Sequence, residues 1–111
     1  MKDDSIYIHH IYDAVIRIEK YTSEKDLNDF LKSELIQDAV IRQFQIIGEA
    51  AKRISEETKS KNKDILWKEM CGMRDKLIHG YFGTDIESVW ETVIKDLPAL
   101  KKNIEKNLPP A

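Results

Sequence analysis

Cysteine, glycine and proline are scarce in this 111-residue chain, which contains one Cys, four Gly and three Pro. A single cysteine cannot form an internal disulfide, and it excludes a zinc site built from several thiolates. The few glycines and prolines, beside 41% hydrophobic and 34% charged residues, exclude a collagen-like repeat, a disordered chain and a turn-rich β-sandwich. The length predicts one domain over residues 1–111, with a loose tail from about residue 105.

Long apolar runs are also missing. No stretch approaches the roughly 18–20 apolar residues that span a membrane, and the start MKDDSIYIHH lacks the basic segment and apolar centre of a signal peptide. Neither sign of charge dominates, because 18 Lys and Arg stand against 20 Asp and Glu, a net charge of −2. Any RNA contact must therefore use a local patch or a partner. These features predict a cytoplasmic domain that does not bind membranes.

Apolar residues recur at three- and four-residue steps, which is the spacing of amphipathic helices. The first helix is predicted over about residues 4–21, and a short second helix follows an N-cap at Ser23. The best apolar stripe covers residues 35–54, where Ser33 either caps a separate helix or bends one long helix. The polar run over residues 56–63 is predicted to be a solvated loop.

Two further helices complete the prediction. Asp64 is expected to cap a helix that ends near the glycines of residues 80–83. Its predicted apolar side consists of Leu66, Met70, Met73 and Leu77. Thr84 and Glu87 fit a capping box for the last helix, which Pro98 kinks or restarts. The predicted fold is an all-α, antiparallel bundle of four to five helices with short loops.

Gly48 and Gly72 occur where helices are predicted, although glycine in a helix interior costs about 1 kcal/mol relative to alanine. Close approach of another helix backbone would offset this cost, and the neighbouring Ala50 and Ala51 support that interpretation for Gly48. A break in the helix near Gly72 is the alternative.

The stretch with the most chemical content contains Arg74, Asp75, His79 and Tyr81. On a continuous helix these four positions fall within a sector of about 160°. Arg74 offers a permanently charged fork of donors for phosphate oxygens. His79 is able to accept and donate protons near neutral pH. Asp75, one turn before His79, would orient the imidazole and favour its protonated form.

This set of side chains suits RNA cleavage without a metal. His79 would exchange protons with the ribose 2′-hydroxyl or the 5′-oxygen, and Arg74 would stabilise charge on the phosphorane. One histidine cannot easily perform both transfers, so a two-fold dimer with two copies of the set is attractive. A structural role is the alternative, in which Arg74 pairs with Asp75 or Glu69 and His79 caps a helix C-terminus.

Other polar residues give weaker signals. His9 and Asp13 lie one turn apart without a third ligand, so no metal site is predicted. Cys71 is interpreted as a small buried helix residue, and Trp67 and Trp90 as core or interface anchors. Several basic residues form either a solvated surface or a basic rim for RNA or a partner: Lys52, Arg53, Lys59, Lys61, Lys63, Lys68 and Lys76.

The sequence from Arg74 to Tyr81 resembles the motif of the HEPN superfamily, which is Arg, four to six residues, His, any residue and Tyr. Here four residues separate Arg74 from His79, and Asp75 stands where HepT-like members often have Asn. Similarity to HepT-like toxins, which are encoded beside a minimal nucleotidyltransferase antitoxin, extends from the first helix to about Ile104. Further segments that carry it are Ile46-Ile47-Gly48-Glu49-Ala50, Trp67 before Gly72-Met73-Arg74, Val89-Trp90, and Asp96-Leu97-Pro98-Ala99-Leu100.

The resemblance implies a homodimeric helical bundle with both motifs in a shared cleft. It implies a metal-independent ribonuclease toxin with Arg74 and His79 catalytic and Asp75 in support. It also implies inhibition by the partner nucleotidyltransferase, which would transfer AMP from ATP to Tyr81, so that the chain itself needs no cofactor. Added phosphate beside Arg74 would exclude RNA phosphate from the same place.

Two other functions compete with the toxin interpretation. The first is a non-catalytic nucleotide- or partner-binding subunit of a nucleotidyltransferase complex, since Arg74 and His79 would also bind a nucleotide phosphate. The net charge of −2 mildly favours it over the ribonuclease. The second is a plain dimeric helical scaffold, against which the complete Arg-His-Tyr set argues.

Overall fold

The computed structural model of the chain describes residues 4–72 and 85–108. These residues form helices and no strand, which confirms the predicted all-α class. The helices are α1 (Ser5–Thr22), α2 (Leu27–Lys32), α3 (Glu34–Arg53), α4 (Glu56–Lys61), α5 (residues 67–72), α6 (Ile86–Glu91) and α7 (Leu97–Lys106), and a π-helical turn (Thr92–Asp96) joins the last two. Within the described part of the chain, no helix is long and apolar enough to cross a membrane.

The core forms mainly where α1 packs against α3, with α7 closing over α1. Their buried faces follow the three- and four-residue spacing seen in the sequence, since residues so spaced share one side of a helix. Fully buried members include Ile11, Val15, Ile18, Val40 and Ile104. The core therefore lies along three long amphipathic elements, and the shorter helices are added at its edges.

Helix α2 begins at Asp26, not at Ser23 as predicted. The Asp26 carboxylate accepts a hydrogen bond from the Asp29 amide (2.9 Å), and the Asp29 carboxylate accepts one from the Asp26 amide (3.0 Å). The Asp26 amide holds the pKa of Asp29 below its ordinary value. Because this pair satisfies two helix-start amides at once, it defines the helix start, while Ser23 ends α1.

Ser33 separates α2 from α3, which resolves the two alternatives in favour of separate helices. Its backbone is extended, and its hydroxyl accepts a hydrogen bond from the Ile36 amide at 3.1 Å. Leu35, predicted to belong to the apolar stripe, is 81% exposed. That expectation was wrong because Leu35 lies on the opposite side of α3 from the buried Val40 and Phe44.

Helix α4 occupies residues predicted to be a solvated loop. It buries none of its residues, so apolar spacing could not reveal it. Ser55 caps it, and the Asp4 carboxylate accepts hydrogen bonds from the Ser55 amide (3.2 Å), the Ser55 hydroxyl (2.5 Å) and the Thr58 hydroxyl (2.5 Å). The prediction failed because this helix is held by a carboxylate at the start of α1, far away in sequence.

The helix that follows does not begin at Asp64 as predicted. Helix α5 begins at Trp67, and the carbonyl of Leu66 accepts its first hydrogen bond from the Met70 amide at 3.1 Å. Leu66, expected on the apolar side, is 56% exposed, whereas Met70 is buried as predicted. The reason is that Ile65 and Trp67 both insert into the core and leave Leu66 between them facing outward.

The chain stays helical through Pro98, where a kink or a restart was predicted, and a π-helical turn lies directly before it. Proline has no amide hydrogen and its ring crowds the preceding turn, so the regular hydrogen-bond pattern cannot continue through it. The chain widens into the π-helical turn, where the Leu97 amide donates to the Thr92 carbonyl five residues earlier. Helix α7 then begins with Pro98 in its first turn, where a missing amide hydrogen is tolerated.

Polar contacts join the outer edges of α1 and α7. The Tyr12 hydroxyl donates to the Glu105 carboxylate at 3.1 Å, and Lys101 pairs with Glu19 at 3.0 Å. The Glu19 carboxylate raises the pKa of Lys101, and the Glu105 carboxylate raises the pKa of Tyr12. Tyr12 also packs against the core.

Candidate functional site

The predicted site residues Arg74, Asp75, His79 and Tyr81 lie outside the described residues. The same holds for Met73 and Leu77 of the predicted apolar side and for Lys76. Their roles therefore stay predictions. The structure does show how the two helices that flank them in sequence, α5 and α6, are attached to the core.

Helix α5, whose last described residue lies two positions before Arg74, is attached through its first turn. The Trp67 indole donates to the Asn62 carbonyl at 3.1 Å, and the Asn62 side chain donates to the Thr58 carbonyl at 2.8 Å. Trp67 and Met70 are both buried, which confirms the expectation that Trp67 anchors the core. Gly72, the last described residue before the predicted site, therefore lies on a helix whose first turn is packed in the core.

Helix α5 meets α3 at Gly48. The Cys71 thiol lies 3.9 Å from the Gly48 carbonyl, and Gly48 is buried, so the absence of a side chain there is used for packing. Cys71 itself is half-buried. Gly72 is different, because a Cβ atom added to it would meet nothing within 4 Å. No close approach at Gly72 is seen among the described residues, and the residues after Gly72, where a break would lie, are outside the described part of the chain.

Helix α6 begins directly after the undescribed stretch, and its cap is Asp85, so the prediction of a cap at Thr84 was wrong. The Asp85 carboxylate accepts hydrogen bonds from the Glu87 amide at 3.0 Å and the Ser88 amide at 3.4 Å. Val89 and Trp90 of the same helix are buried in the core. Both helices that flank residues 73–84 thus pack on one core.

A groove of about 350 Å³ lies between α3, α5 and the start of α7. Phe44, Ile47, Met70 and Leu97 contribute its apolar lining, and Glu69 and Asp96 are among the few polar groups. Sequence analysis missed this groove because three elements distant in sequence enclose it. Its position beside α5 makes it a neighbour of the segment that leads to Arg74.

Metal-ligating side chains do not gather in the described ranges, where no three His, Cys, Asp or Glu residues are arranged to hold a metal ion. His9 and Asp13, the pair considered in the sequence, lie on α1. His10, next to them, stacks edge-on against Tyr7 with ring centroids 6.1 Å apart.

Comparison with known proteins gives a consistent family. Residues 11–107 match the family model described as "Ribonuclease HepT-like". The chain is 49% identical over 105 residues to "Gamma-glutamylcyclotransferase and putative RNase" of Methanocaldococcus jannaschii, which covers 95% of this chain and 47% of that protein. It is 47% identical over 100 residues to "Probable ribonuclease HepT" of Thermococcus cleftensis, covering 90% of this chain and 91% of that one. No solved structure was found to match.

The all-α fold and these similarities define the class as the helical HEPN superfamily. Within that class, the chain belongs to the ribonuclease HepT-like family. It spans about half the length of the M. jannaschii relative and nearly all of the T. cleftensis relative.

Proposed function

We propose that this protein is a metal-independent endoribonuclease and the toxin of a toxin-antitoxin pair. The observation that carries the proposal is the family match over residues 11–107, because that range contains the complete set of Arg74, His79 and Tyr81. Relatives of similar length bear ribonuclease names. The attachment of α5 and α6 to one core supports it further, since a catalytic segment needs fixed ends.

The proposed reaction is a transesterification at phosphorus. His79 removes the proton of the ribose 2′-hydroxyl, the 2′-oxygen bonds to phosphorus, and the bond from phosphorus to the 5′-oxygen breaks. The 5′-oxygen takes a proton, leaving a 5′-hydroxyl and a 2′,3′-cyclic phosphate. Arg74 stabilises the charge of the phosphorane with its two-pronged donor. Asp75 orients His79 and acts as a positioning residue.

A homodimer would supply the second proton carrier. In a two-fold arrangement the same surface of each copy meets, so an interface that contains the motif would place both copies of the motif in one cleft. His79 of one copy then accepts the 2′-hydroxyl proton while His79 of the other donates to the leaving oxygen. This division of roles follows from the need for one base and one acid at the same moment.

Cleavage of cellular RNA in excess EDTA tests this proposal. Wild-type protein, shown by mass spectrometry to be free of AMP, is expected to produce 2′,3′-cyclic phosphate ends. Arg74→Gln is expected to lower the rate by about 10²–10³-fold, the usual effect of removing one group that stabilises transition-state charge. Equal cleavage by both proteins would identify a contaminating nuclease. Absence of cleavage by the unmodified wild type would contradict the ribonuclease and favour a nucleotide- or partner-binding subunit.

Regulation is proposed to act on Tyr81. The partner nucleotidyltransferase transfers AMP from ATP to the Tyr81 hydroxyl, with pyrophosphate as the leaving group, and the added phosphate occupies the anion site of Arg74. After incubation with partner and ATP, we expect AMP on Tyr81 and loss of RNA cleavage. Tyr81→Phe is expected to stay active and unmodified, while the control Tyr12→Phe is modified and inactivated like wild type. Modification at Tyr7 or Tyr12 instead would refute this mechanism.

A further inference from the structure

Positive charge is concentrated in one part of the sequence. Residues 52–68 contain six basic and three acidic side chains, a net charge of +3 in a chain whose total is −2. The basic residues are Lys52, Arg53, Lys59, Lys61, Lys63 and Lys68, and the acidic ones are Glu56, Glu57 and Asp64. The rest of the molecule therefore has a negative net charge, whereas this segment has a positive one.

All three acidic side chains of this segment are engaged in ion pairs. Glu56 pairs with Lys59 at 3.7 Å, Glu57 with Lys61 at 3.2 Å, and Asp64 with Lys106 of α7 at 3.7 Å. Within residues 4–72 and 85–108, Arg53, Lys63 and Lys68 form no ion pair, and all three are exposed. These three cations are thus left to face solvent without compensation from their own segment.

The backbone that carries these cations is held in place by hydrogen bonds. A six-residue helix without a buried residue, such as α4, does not persist by itself in water. In this protein the Asp4 carboxylate stabilises the start of α4 by accepting hydrogen bonds from the Ser55 and Thr58 hydroxyls. At the end of α4, the Asn62 side chain donates a hydrogen bond to the Thr58 carbonyl. The Trp67 indole then fixes the turn after α4 through the Asn62 carbonyl. Although α4 has no buried residue, these hydrogen bonds therefore give α4 and the turn after it a defined conformation.

Lys68 lies on the helix that precedes the predicted catalytic segment in sequence. On α5, Trp67 and Met70 face the core, while Lys68 and Gly72 are exposed. Lys68 and Gly72 are one turn apart and share a face. Because nothing lies within 4 Å of a Cβ placed at Gly72, that face is open up to the last described residue, two positions before Arg74.

We propose that Arg53, Lys63 and Lys68 form a phosphate-binding surface for single-stranded RNA that enters the cleavage site. The proposal rests on the proposed ribonuclease function. It adds residues that would bind the RNA substrate and that lie outside the stretch from Arg74 to Tyr81. The only aromatic side chain in residues 52–68, Trp67, is buried, so this segment offers no exposed aromatic ring on which bases could stack. Recognition is therefore through backbone phosphates and is tolerant of sequence.

The test compares two triple variants with the same change of charge. Arg53, Lys63 and Lys68 are replaced by Gln in one, and the exposed Lys25, Lys32 and Lys102 in the other, both in His79→Ala protein so that RNA stays intact. Binding of a fluorescent oligouridylate is measured over a range of salt concentrations. Each lost phosphate contact lowers the salt slope by about 0.7 for a single strand, so the first variant should lose about 2 in slope. Its affinity at about 0.1 M salt should fall by roughly 10- to 100-fold, and the second variant should bind nearly as His79→Ala does.

Three results would overturn the proposal. The first is an equal loss of RNA binding in both triple variants, which would mean a general effect of charge. The second is unchanged RNA binding by the first triple variant. The third is the absence of RNA binding by the parent His79→Ala protein. The two proposals fail separately. If unmodified wild type does not cleave RNA but the first triple variant still loses binding, the surface stands and the ribonuclease does not. If wild type cleaves RNA and the first triple variant binds RNA as tightly as His79→Ala does, the ribonuclease stands and the surface does not.

Discussion

Replacement of His79 by alanine is expected to lower the rate of RNA cleavage by about 10²–10⁴-fold, the range that proton transfer by one positioned side chain contributes. If the two copies of a dimer share the acid and base roles, the substitution removes both, and the effect should lie near the upper end. The reason is that the variant would keep Arg74, which stabilises the charge on phosphorus, but would lose the side chain that transfers protons.

The dependence of the rate on pH provides a readout that a structural role would not change. A base that must be neutral and an acid that must be protonated give a bell-shaped dependence of the rate on pH. The wild type should show this bell, and the residual activity of His79→Ala should not. The matched control is His10→Ala, because His10 lies on α1 and contacts the Tyr7 ring. A His79→Ala protein that cleaves at the wild-type rate would contradict the mechanism.

Replacement of Phe30 by alanine is expected to lower the free energy of unfolding by about 3–5 kcal/mol. Phe30 is fully buried, it is the one buried residue of α2, and its ring lies 5.1 Å from the Trp90 ring of α6. Helix α2 has six residues and cannot persist alone. Removal of the ring therefore leaves a cavity and also frees α2 from the helix that follows residues 73–84.

Urea unfolding followed by far-ultraviolet circular dichroism measures this loss of stability. The control is Leu35→Ala, since Leu35 is 81% exposed and its truncation should change stability by less than about 0.5 kcal/mol. Because small domains have a total stability of about 5–15 kcal/mol, Phe30→Ala should be visibly less stable at room temperature. A difference of less than about 1 kcal/mol between Phe30→Ala and wild type would show that α2 is not packed as described.

Local features of the chain were predictable to the extent that neighbouring residues decide them. Ser33 was predicted either to cap a separate helix or to bend one long helix, and its cap needs only the amide three residues later. Pro98 was predicted to kink or restart the last helix, because the missing amide hydrogen is its own property. Asp26 was not chosen over Ser23, although the signal was present in the sequence as a second carboxylate three residues after Asp26. The two reciprocal hydrogen bonds between Asp26 and Asp29 stabilise a helix start more than the single hydroxyl of Ser23 would.

The sequence by itself determined the all-α class and the order of its long helices, because apolar spacing along α1, α3 and α7 depends on residues within a few turns of one another. It also contains the set of Arg74, Asp75, His79 and Tyr81, whose roles depend on chemical type and spacing and stay predictions.

Only the tertiary structure decided the existence of α4, the exposure of Leu35 and Leu66, and the groove between α3, α5 and α7. Helix α4 depends on a carboxylate 51 positions away, since Asp4 bonds to Ser55. Whether a leucine is buried depends on which neighbour faces it. Such properties arise from contacts between distant segments, and a pattern of neighbouring residues does not contain them.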